Sequence, residues 1–255
     1  MAKADFKAIV FDLFDTIVKW EPERLPLMEV NGHQIHTTIP WVFPLLEQRL
    51  GAAFDRDRFV EVYHAVIDEI IAERELKGIE ITCAERFVRT LQRLAPALDG
   101  DITSFAEQLT RVHMDGVRGV TWAPPERVTA VRNIAPHYRL GLLSNFDDAQ
   151  CGREVFGDTG VAPLFEAVII SAEVGLRKPN PQIYRQILEM LRLDAAEVLF
   201  VGDTPREDVA GPQHVGMRTA WISKGAAGVP DGIPQPDFNI RDLSELPAIL
   251  GIRRR

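Results

Sequence analysis

The sequence contains little cysteine, and the two cysteines that are present form no pattern. Cys83 and Cys151 lie far apart and lack the spacing of metal-binding cysteines. We therefore expect neither a disulfide framework nor a zinc site. A reducing cytoplasm is the simplest compartment for such a chain.

Long apolar runs are also missing from the sequence. No stretch approaches the roughly 20 consecutive apolar residues that cross a bilayer. The polar residues 1–7 lead directly into the first predicted strand, with no cleavable apolar leader before it. These features predict a cytoplasmic protein without a membrane partner.

Basic residues are outnumbered by acidic ones, and the formal net charge is −8. A surface that binds nucleic acid needs clustered lysine and arginine against the phosphate backbone. Arg253, Arg254 and Arg255 form a short basic run at the C-terminal end, which we interpret as a solvated tail. No nucleic-acid partner is expected.

Apolar residues make up 46% of the 255 residues and charged residues 26%, which is ordinary for a globular protein. The length exceeds that of an average domain but is short for two full ones. A core domain that carries one large insertion is therefore the best interpretation. The oligomeric state, monomer or homodimer, is not specified by these features.

The stretch from about Pro40 to Gly116 has helical periodicity throughout, which predicts about four helices and no strand. The preceding segment, residues 27–37, contains the pair Asn31–Gly32 within a partly apolar stretch. An Asn-Gly pair in that setting is typical of a hairpin turn.

From Leu140 onward, short apolar runs alternate with amphipathic segments. The predicted strands are residues 140–143, 167–170, 198–201 and 219–222, and the predicted helices are residues 149–156, 181–191 and 206–214. This alternation predicts an α/β core with a parallel sheet and helices on both faces. The core would comprise residues 1–18 and 118–255, and a helical cap with its linker would comprise residues 19–117.

The first predicted strand ends in a carboxylate. An apolar run leads without a polar break to Asp12, which would place this side chain at the carboxyl edge of the sheet, where α/β folds bind ligands. An aspartate at that edge can serve as a nucleophile or a metal ligand. Taken alone, such an aspartate is better explained as a residue that caps the following turn.

Polar side chains follow each of four predicted strands. The residues concerned are Asp12 and Thr16, Ser144 and Asn145, Lys178, and Asp203 and Asp208. Parallel strands end at one edge of a sheet, so these side chains should meet. Carboxylates are ligands for Mg²⁺, while lysine, serine and asparagine donate to phosphate oxygens. The set therefore predicts a site for a divalent cation beside a small anionic substrate.

Four motifs at these strand ends resemble, in order, those of the haloacid dehalogenase superfamily. They are FDLFDT at residues 11–16, LLSNFD at 142–147, RKPNPQIY at 177–184 and VGDTPRED at 201–208. The resemblance implies a Rossmann-like three-layer core with an inserted helical C1 cap. Most members hydrolyse phosphate monoesters with Mg²⁺ through an aspartyl-phosphate, and a minority hydrolyse carbon–halogen or carbon–phosphorus bonds.

The resemblance also implies a role for each matched residue. The nucleophile would be Asp12. The metal ligands would be Asp12, the backbone carbonyl of Phe14 and Asp203, with Asp208 as a further ligand or as a residue that orients the waters of the metal. The groups that hold the phosphoryl would be Thr16, Ser144, Asn145 and Lys178. Phosphoryl transfer depends mainly on positioning and charge neutralisation, which this set would supply.

One position departs from the phosphatase pattern. These enzymes usually carry a general-acid aspartate two residues after the nucleophile, and here that residue is Phe14. General acid–base catalysis contributes roughly a hundred- to ten-thousand-fold in rate. A first explanation is a substrate with a good leaving group, or another acid from the linker. The linker candidates are Glu21, Glu23, His33 and His36.

A second explanation is a metal-free 2-haloacid dehalogenase, because those enzymes carry an aromatic residue at the position of Phe14 and a tyrosine at that of Tyr184. The acidic pair Asp203 and Asp208 opposes this, since uncompensated carboxylates would repel an anionic haloacid. A third explanation is a phospho-ligand-binding protein with weak or no turnover. The acidic fourth motif favours a Mg²⁺-dependent phosphatase acting on a small phosphorylated metabolite.

Overall fold

The structure is a computed structural model that describes residues 6–30, 32–94 and 101–252. Asn31 and the arginines at 253–255, which the sequence assigns to a turn and a tail, lie outside these ranges. The chain divides into two compact units: residues 1–19 with 122–255, and residues 20–121. The domain boundary predicted at residue 117 falls inside a helix that continues to residue 119.

Ten strands run along the described part of the chain. They are β1 Ala8–Phe11, β2 Lys19–Trp20, β3 Leu27–Val30, β4 His33–His36, β5 Thr121–Trp122, β6 Arg139–Ser144, β7 Ala167–Ile170, β8 Val198–Gly202, β9 Arg218–Ile222 and β10 Phe238–Ile240.

The α-helices of the same ranges are also numbered in chain order. They are α1 Ile39–Leu50, α2 Arg56–Lys77, α3 Cys83–Leu94, α4 Ile102–Gly119, α5 Pro125–Ile134, α6 Ala149–Asp158, α7 Ser171–Val174, α8 Pro181–Leu191, α9 Gly211–His214 and α10 Leu246–Ile249.

The first unit is built on a six-stranded parallel sheet in the order β10-β9-β8-β1-β6-β7. All four residues of β1 are completely buried, because helices cover both faces of a parallel sheet. The predicted α/β fold with a parallel sheet is therefore confirmed. β1 lies inside the sheet, between β6 and β8, and not at an edge.

The register of β1 determines where the site forms. Phe11 is paired with Leu142 of β6 and with Val201 of β8. The three strands are parallel, so the chain beyond these positions runs toward the same edge of the sheet. Asp12 comes directly after Phe11, and its backbone N–H donates to the carbonyl of Val201 at 2.9 Å.

Two elements of this unit differ from the sequence prediction. The edge strand β10 was not predicted, since its three residues are too few for a periodic pattern. The helix predicted over 206–214 begins as a π-helix, Pro205–Ala210, and continues as α9. A π-helical turn frequently marks a functional site.

The second unit contains the four predicted helices α1 to α4, preceded by the predicted hairpin. β3 and β4 pair antiparallel, with Val30 opposite His33. Asp55 caps α2 by accepting a hydrogen bond from the Arg58 N–H at 2.9 Å, and Gly78 ends it in the left-handed conformation at φ 64°. Across the described ranges, every helix is too short or too polar to cross a membrane.

Candidate active site

Lys178 is the centre of the site, and its ammonium group is buried between two carboxylates. Nζ donates to Asp12 Oδ1 at 2.8 Å and to Asp208 Oδ1 at 2.7 Å. The side chain is only 1% exposed. A buried charge is tolerated when it is paired and hydrogen-bonded, and Lys178 satisfies both conditions.

Asn145 positions the backbone of Lys178. Its Nδ2 donates to the Lys178 carbonyl at 2.9 Å, and its Oδ1 accepts from the Lys178 N–H at 2.8 Å. Asn145 follows the end of β6, whereas Lys178 lies in the loop that follows α7. These paired hydrogen bonds therefore connect the ends of neighbouring strands, and they fix the residue that neutralises Asp12.

Three carboxylates converge beside this lysine. One ligand atom from each of Asp12, Asp203 and Asp208 lies within 4.8 Å of the others. Gly202 makes the arrangement possible, because a Cβ at this position would lie 2.3 Å from Asp208 Cγ. The set has the oxygen donors that a hard divalent cation such as Mg²⁺ requires.

The three carboxylates are not equivalent. Both oxygens of Asp208 accept hydrogen bonds, one from Lys178 and one from the Thr204 N–H at 2.8 Å. Asp208 is also 1% exposed, whereas Asp203 is only partly buried. The geometry thus makes Asp208 the anchor of Lys178, and leaves Asp12 and Asp203 as the more accessible metal-binding groups.

Burial shapes the electrostatics of the cluster. Burial raises the pKa of Asp12, and the nearby charges of Asp208 and Asp203 raise it further, against the opposing effect of Lys178. Burial, followed by the charge of Asp208, also raises the pKa of Asp203. For Lys178, burial is outweighed by Asp12 and Asp208, so its pKa is raised and it stays charged. An added cation would stabilise the ionised form of these carboxyl groups, whose pKa values are raised.

Two buried hydroxyl groups of the first unit have no hydrogen-bond partner among the residues that the structure describes. They are Thr16 Oγ1 and Ser144 Oγ, and both side chains are fully buried. A buried polar group without a partner is costly, and it points to a ligand or water. Both residues lie at the carboxyl edge of the sheet, where their hydroxyls are suited to donate to an anion.

Lys224 belongs to the site but was missed by the sequence analysis. Its Nζ donates to Asp203 Oδ2 at 3.0 Å and lies 3.2 Å from Asp15 Oδ2. A signal for it existed, because Lys224 is the second residue after the predicted strand β9. Glu207 was missed as well; burial raises its pKa, and Lys178 and Arg177 oppose that shift.

Phe14 stacks on another aromatic ring beside the site. Its ring lies 4.7 Å from that of Phe146, at an interplanar angle of 24°. Neither side chain can transfer a proton, so this position of the first motif carries an apolar surface. The assignment of the Phe14 carbonyl to a metal stays a prediction.

Tyr184, the residue that matches the dehalogenase pattern, lies in the core. It is completely buried, and its hydroxyl donates to the carbonyl of Glu207. Its ring packs edge-to-face on Phe200 at 5.8 Å. A Cβ at Gly211 would lie 2.1 Å from the hydroxyl oxygen, so the first residue of α9 packs tightly on it.

The linker residues offered as replacement acids lie in the second unit. His33 and His36 belong to β4, and both are exposed. The His36 Nδ1 is 2.9 Å from the Leu25 carbonyl, and Glu21 forms an ion pair with Arg24 at 3.3 Å. Their proposed part in catalysis stays a prediction.

In the parallel α/β core, the central strand ends in an aspartate that lies beside a lysine and two further carboxylates. This arrangement defines a class of hydrolase. The sequence model for the haloacid dehalogenase-like hydrolases matches residues 6–216. The chain belongs to this family.

Curated relatives that match over nearly the whole chain carry hydrolase names. The phosphoserine phosphatase of Thermus thermophilus is 27% identical over 247 residues, 94% of this chain and 97% of that protein. The HAD-hydrolase YfnB of Bacillus subtilis is 32% identical over 97% of this chain and 96% of its own length.

Solved structures show the same fold. A 2-haloacid dehalogenase from Pseudomonas syringae pv. tomato superposes with a TM-score of 0.69 at 24% identity, covering 96% of this chain and 98% of that one. YfnB bound to magnesium superposes with a TM-score of 0.61 at 19% identity, covering 97% and 99% of the two chains. At these identities the likeness establishes the fold and does not distinguish the two chemistries.

Proposed function

We propose that the protein is a Mg²⁺-dependent phosphatase that hydrolyses a small phosphorylated metabolite of the cytoplasm, with Asp12 as the nucleophile. The observation that carries this proposal is the convergence of Asp12, Asp203 and Asp208 within 4.8 Å, beside the buried Lys178. The ammonium groups of Lys178 and the half-exposed Lys224 cannot neutralise three carboxylates and a phosphate, so the cluster needs another cation.

The residues present fit a magnesium ion. Asp12 and Asp203 would hold it, and the raised pKa values of both carboxyl groups favour an added positive charge. When bound, Mg²⁺ supplies neutralisation of the phosphoryl oxygens and of Asp12, which would otherwise repel each other.

The side chains of the site would divide the remaining work. Thr16 and Ser144 have buried hydroxyls available to donate to phosphoryl oxygens. Lys178 adds a positive charge, and Asn145 and Asp208 fix its position. Phosphoryl transfer requires little beyond such positioning and charge stabilisation.

The reaction would proceed in two displacements. A carboxylate oxygen of Asp12 attacks the phosphorus, the bond from phosphorus to the leaving oxygen breaks, and the leaving group departs with the electron pair. Water then attacks the same phosphorus, the bond from phosphorus to the aspartate oxygen breaks, and the carboxylate is restored with release of phosphate and a proton.

Phe14 restricts the leaving group. Because Phe14 and Phe146 present stacked rings and no acid, the leaving oxygen receives no proton from this position. Aryl and acyl phosphates, whose leaving groups are stable as anions, are therefore the preferred substrates of the proposed enzyme.

The metal-free dehalogenase is less well supported. Its charge balance would require a haloacid carboxylate to bind beside Asp12, Asp203 and Asp208, which carry more negative charge than Lys178 offsets. Tyr184 matches the position of the dehalogenase tyrosine in the sequence. In the structure it lies in the core, where it contacts Phe200 and Glu207.

The test is a phosphate-release screen over aryl, acyl and alkyl phosphates, with Mg²⁺ or with a chelator, alongside a chloride-release assay on 2-haloacids. We expect phosphate release that requires Mg²⁺ and disappears in Asp12→Asn. Chloride release that resists the chelator would overturn the proposal. Binding of phosphorylated compounds without turnover by a folded wild-type protein would indicate a binding protein instead.

A further inference from the structure

Lys224 is a second lysine that bridges two carboxylates at the carboxyl edge of the sheet. Lys178 bridges Asp12 and Asp208, at 2.8 and 2.7 Å. Lys224 bridges Asp203 and Asp15, at 3.0 and 3.2 Å. These four carboxylates and two ammonium groups leave the set with a formal charge of −2.

The two lysines differ in their surroundings. Lys178 is 1% exposed and is anchored by Asn145, whereas the Lys224 side chain is 46% exposed. Its partner oxygens belong to one candidate metal ligand, Asp203, and to Asp15, which the first motif leaves without a chemical role. Lys224 is therefore the bridging lysine whose own ammonium group can move out into solvent.

The backbone holds Lys224 in place for this contact. Lys224 has φ 50° and Asp15 has φ 58°, so both adopt the left-handed conformation that side-chain-bearing residues rarely take. Arg127 donates to the Asp15 carbonyl at 3.0 Å, and the Ser223 N–H donates to the Ile240 carbonyl at 2.8 Å. The ion pair between Lys224 and Asp15 thus joins two residues that both have an energetically unfavourable backbone conformation.

The backbone of Asp203 is held by a second contact. The Trp221 Nε1–H donates to the Asp203 backbone carbonyl at 2.8 Å. The position of Asp203 therefore does not depend on Lys224 alone. Removing the lysine should change the charge beside the carboxylate more than its place in the site.

We propose that Lys224 is a built-in counter-cation of the metal-free site, which neutralises Asp203 and Asp15 and thereby weakens the binding of Mg²⁺. This inference rests on the proposed function in that it takes Asp203 as a metal ligand. Lys224 donates to one oxygen of that ligand, so an incoming cation must compete with an ammonium group and is repelled by it. The ammonium group of Lys224 lies 3.0 Å from Asp203 Oδ2 and 3.2 Å from Asp15 Oδ2, so it occupies the space beside the carboxylate that an incoming cation would approach.

The direction of the effect distinguishes this role from simple positioning. If Lys224 is a competing cation, its removal tightens Mg²⁺ binding and destabilises the metal-free protein. If Lys224 orients Asp203 for the metal, its removal weakens binding. Because the side chain is about half exposed and its charge is screened, we expect a change of about three- to tenfold.

The experiment measures Mg²⁺ binding directly, by calorimetric titration of the chelator-treated protein. The variants are Lys224→Met and Lys224→Arg, with Lys7→Met as the matched control. Lys7 forms an ion pair with Glu197 before β8, at the opposite edge of the sheet, so its loss removes a charge pair of the same kind far from Asp203. Thermal unfolding without metal is recorded for each protein.

We expect Lys224→Met to lower the Kd for Mg²⁺ about three- to tenfold and to lower the melting temperature of the metal-free protein. We expect Lys224→Arg and Lys7→Met to keep the wild-type Kd within about twofold. Weaker or unchanged binding in Lys224→Met would overturn the inference. If neither wild type nor Lys224→Met binds Mg²⁺, the inference fails together with the metal assignment; binding without phosphate release refutes the proposed function alone.

Discussion

The side-chain amide of Asn145 makes two hydrogen bonds to the backbone of Lys178, at 2.9 and 2.8 Å. Through this pairing, the end of β6 sets the position of the lysine that neutralises Asp12. The contact of Asn145 with the phosphoryl group stays a prediction, and the structure adds its hydrogen bonds to the backbone of Lys178. Its contribution to catalysis should accordingly be large even if it never touches the substrate.

We expect Asn145→Ala to lower kcat/KM for phosphate release by about a hundredfold, because a displacement of about 1 Å at a reacting group costs on that order. Asn180→Ala is the control in the same loop. Asn180 caps α8 by accepting from the Gln182 N–H at 3.0 Å, so its loss should cost about 1 kcal/mol of stability. Comparable activity losses in the two variants would show that loop stability, and not the contact with Lys178, is responsible.

Gly202→Ala should displace Lys178 by moving its partner Asp208. The added Cβ would meet Asp208 Cγ at 2.3 Å, so Asp208 must move and Lys178 loses one of its two carboxylate partners. We expect a loss of about 1–3 kcal/mol in the free energy of unfolding together with reduced phosphate release. Gly157→Ala in α6 is the control, since its Cβ would meet nothing within 4 Å. Wild-type activity in Gly202→Ala would contradict the assigned role of Asp208.

Phe14→Asp tests the missing general acid. A carboxyl group at this position should raise turnover of alkyl phosphates, by about a hundredfold or more if it protonates the leaving oxygen. Phe146→Ala controls for loss of the stacked pair, because it removes the ring contact without adding an acid. A gain in both variants would attribute the effect to space rather than to proton transfer.

Binding of Mg²⁺ should depend on pH in a defined direction. Burial raises the pKa of Asp12 and of Asp203, so protons compete with the metal and Mg²⁺ binding weakens as the pH falls. In metal-free protein the same shifts make stability fall as the pH rises above the unfolded pKa of these groups, because the folded state then binds more protons than the unfolded state. Denaturant unfolding between about pH 5 and 8 measures this dependence of the free energy of unfolding. A free energy of unfolding that rises with pH in the wild type would contradict the expectation. So would a pH dependence that is no smaller in Asp12→Asn than in the wild type.

The sequence predicted the elements that depend on local pattern. The apolar run of β1 predicted a buried parallel strand, and the strand-end rule predicted that Asp12, Lys178 and Asp203 lie close together, as they do in the structure. Their catalytic roles stay predictions. The hairpin followed from an Asn-Gly pair. These succeed because a buried strand and a tight turn are each specified by a few neighbouring residues.

The features that the sequence did not predict depend on contacts between segments that are far apart in the chain. The Lys224–Asp203 pair joins the turns after β8 and β9, and its geometry arises from a left-handed residue that no local pattern marks. The double hydrogen bond of Asn145 likewise spans residues that are 33 positions apart. β10 follows the proline-rich residues 234–236 and is too short for its period to be recognised.

The most direct test of the account is phosphate release from an aryl phosphate by the chelator-treated protein, before and after Mg²⁺ is added back, in the wild type and in Asp203→Asn. We expect the wild type to be inactive without metal and active with it. We expect Asp203→Asn to stay folded but to be no longer activated by Mg²⁺. Equal activity of the wild type with and without Mg²⁺, or unchanged activation in Asp203→Asn, would contradict it.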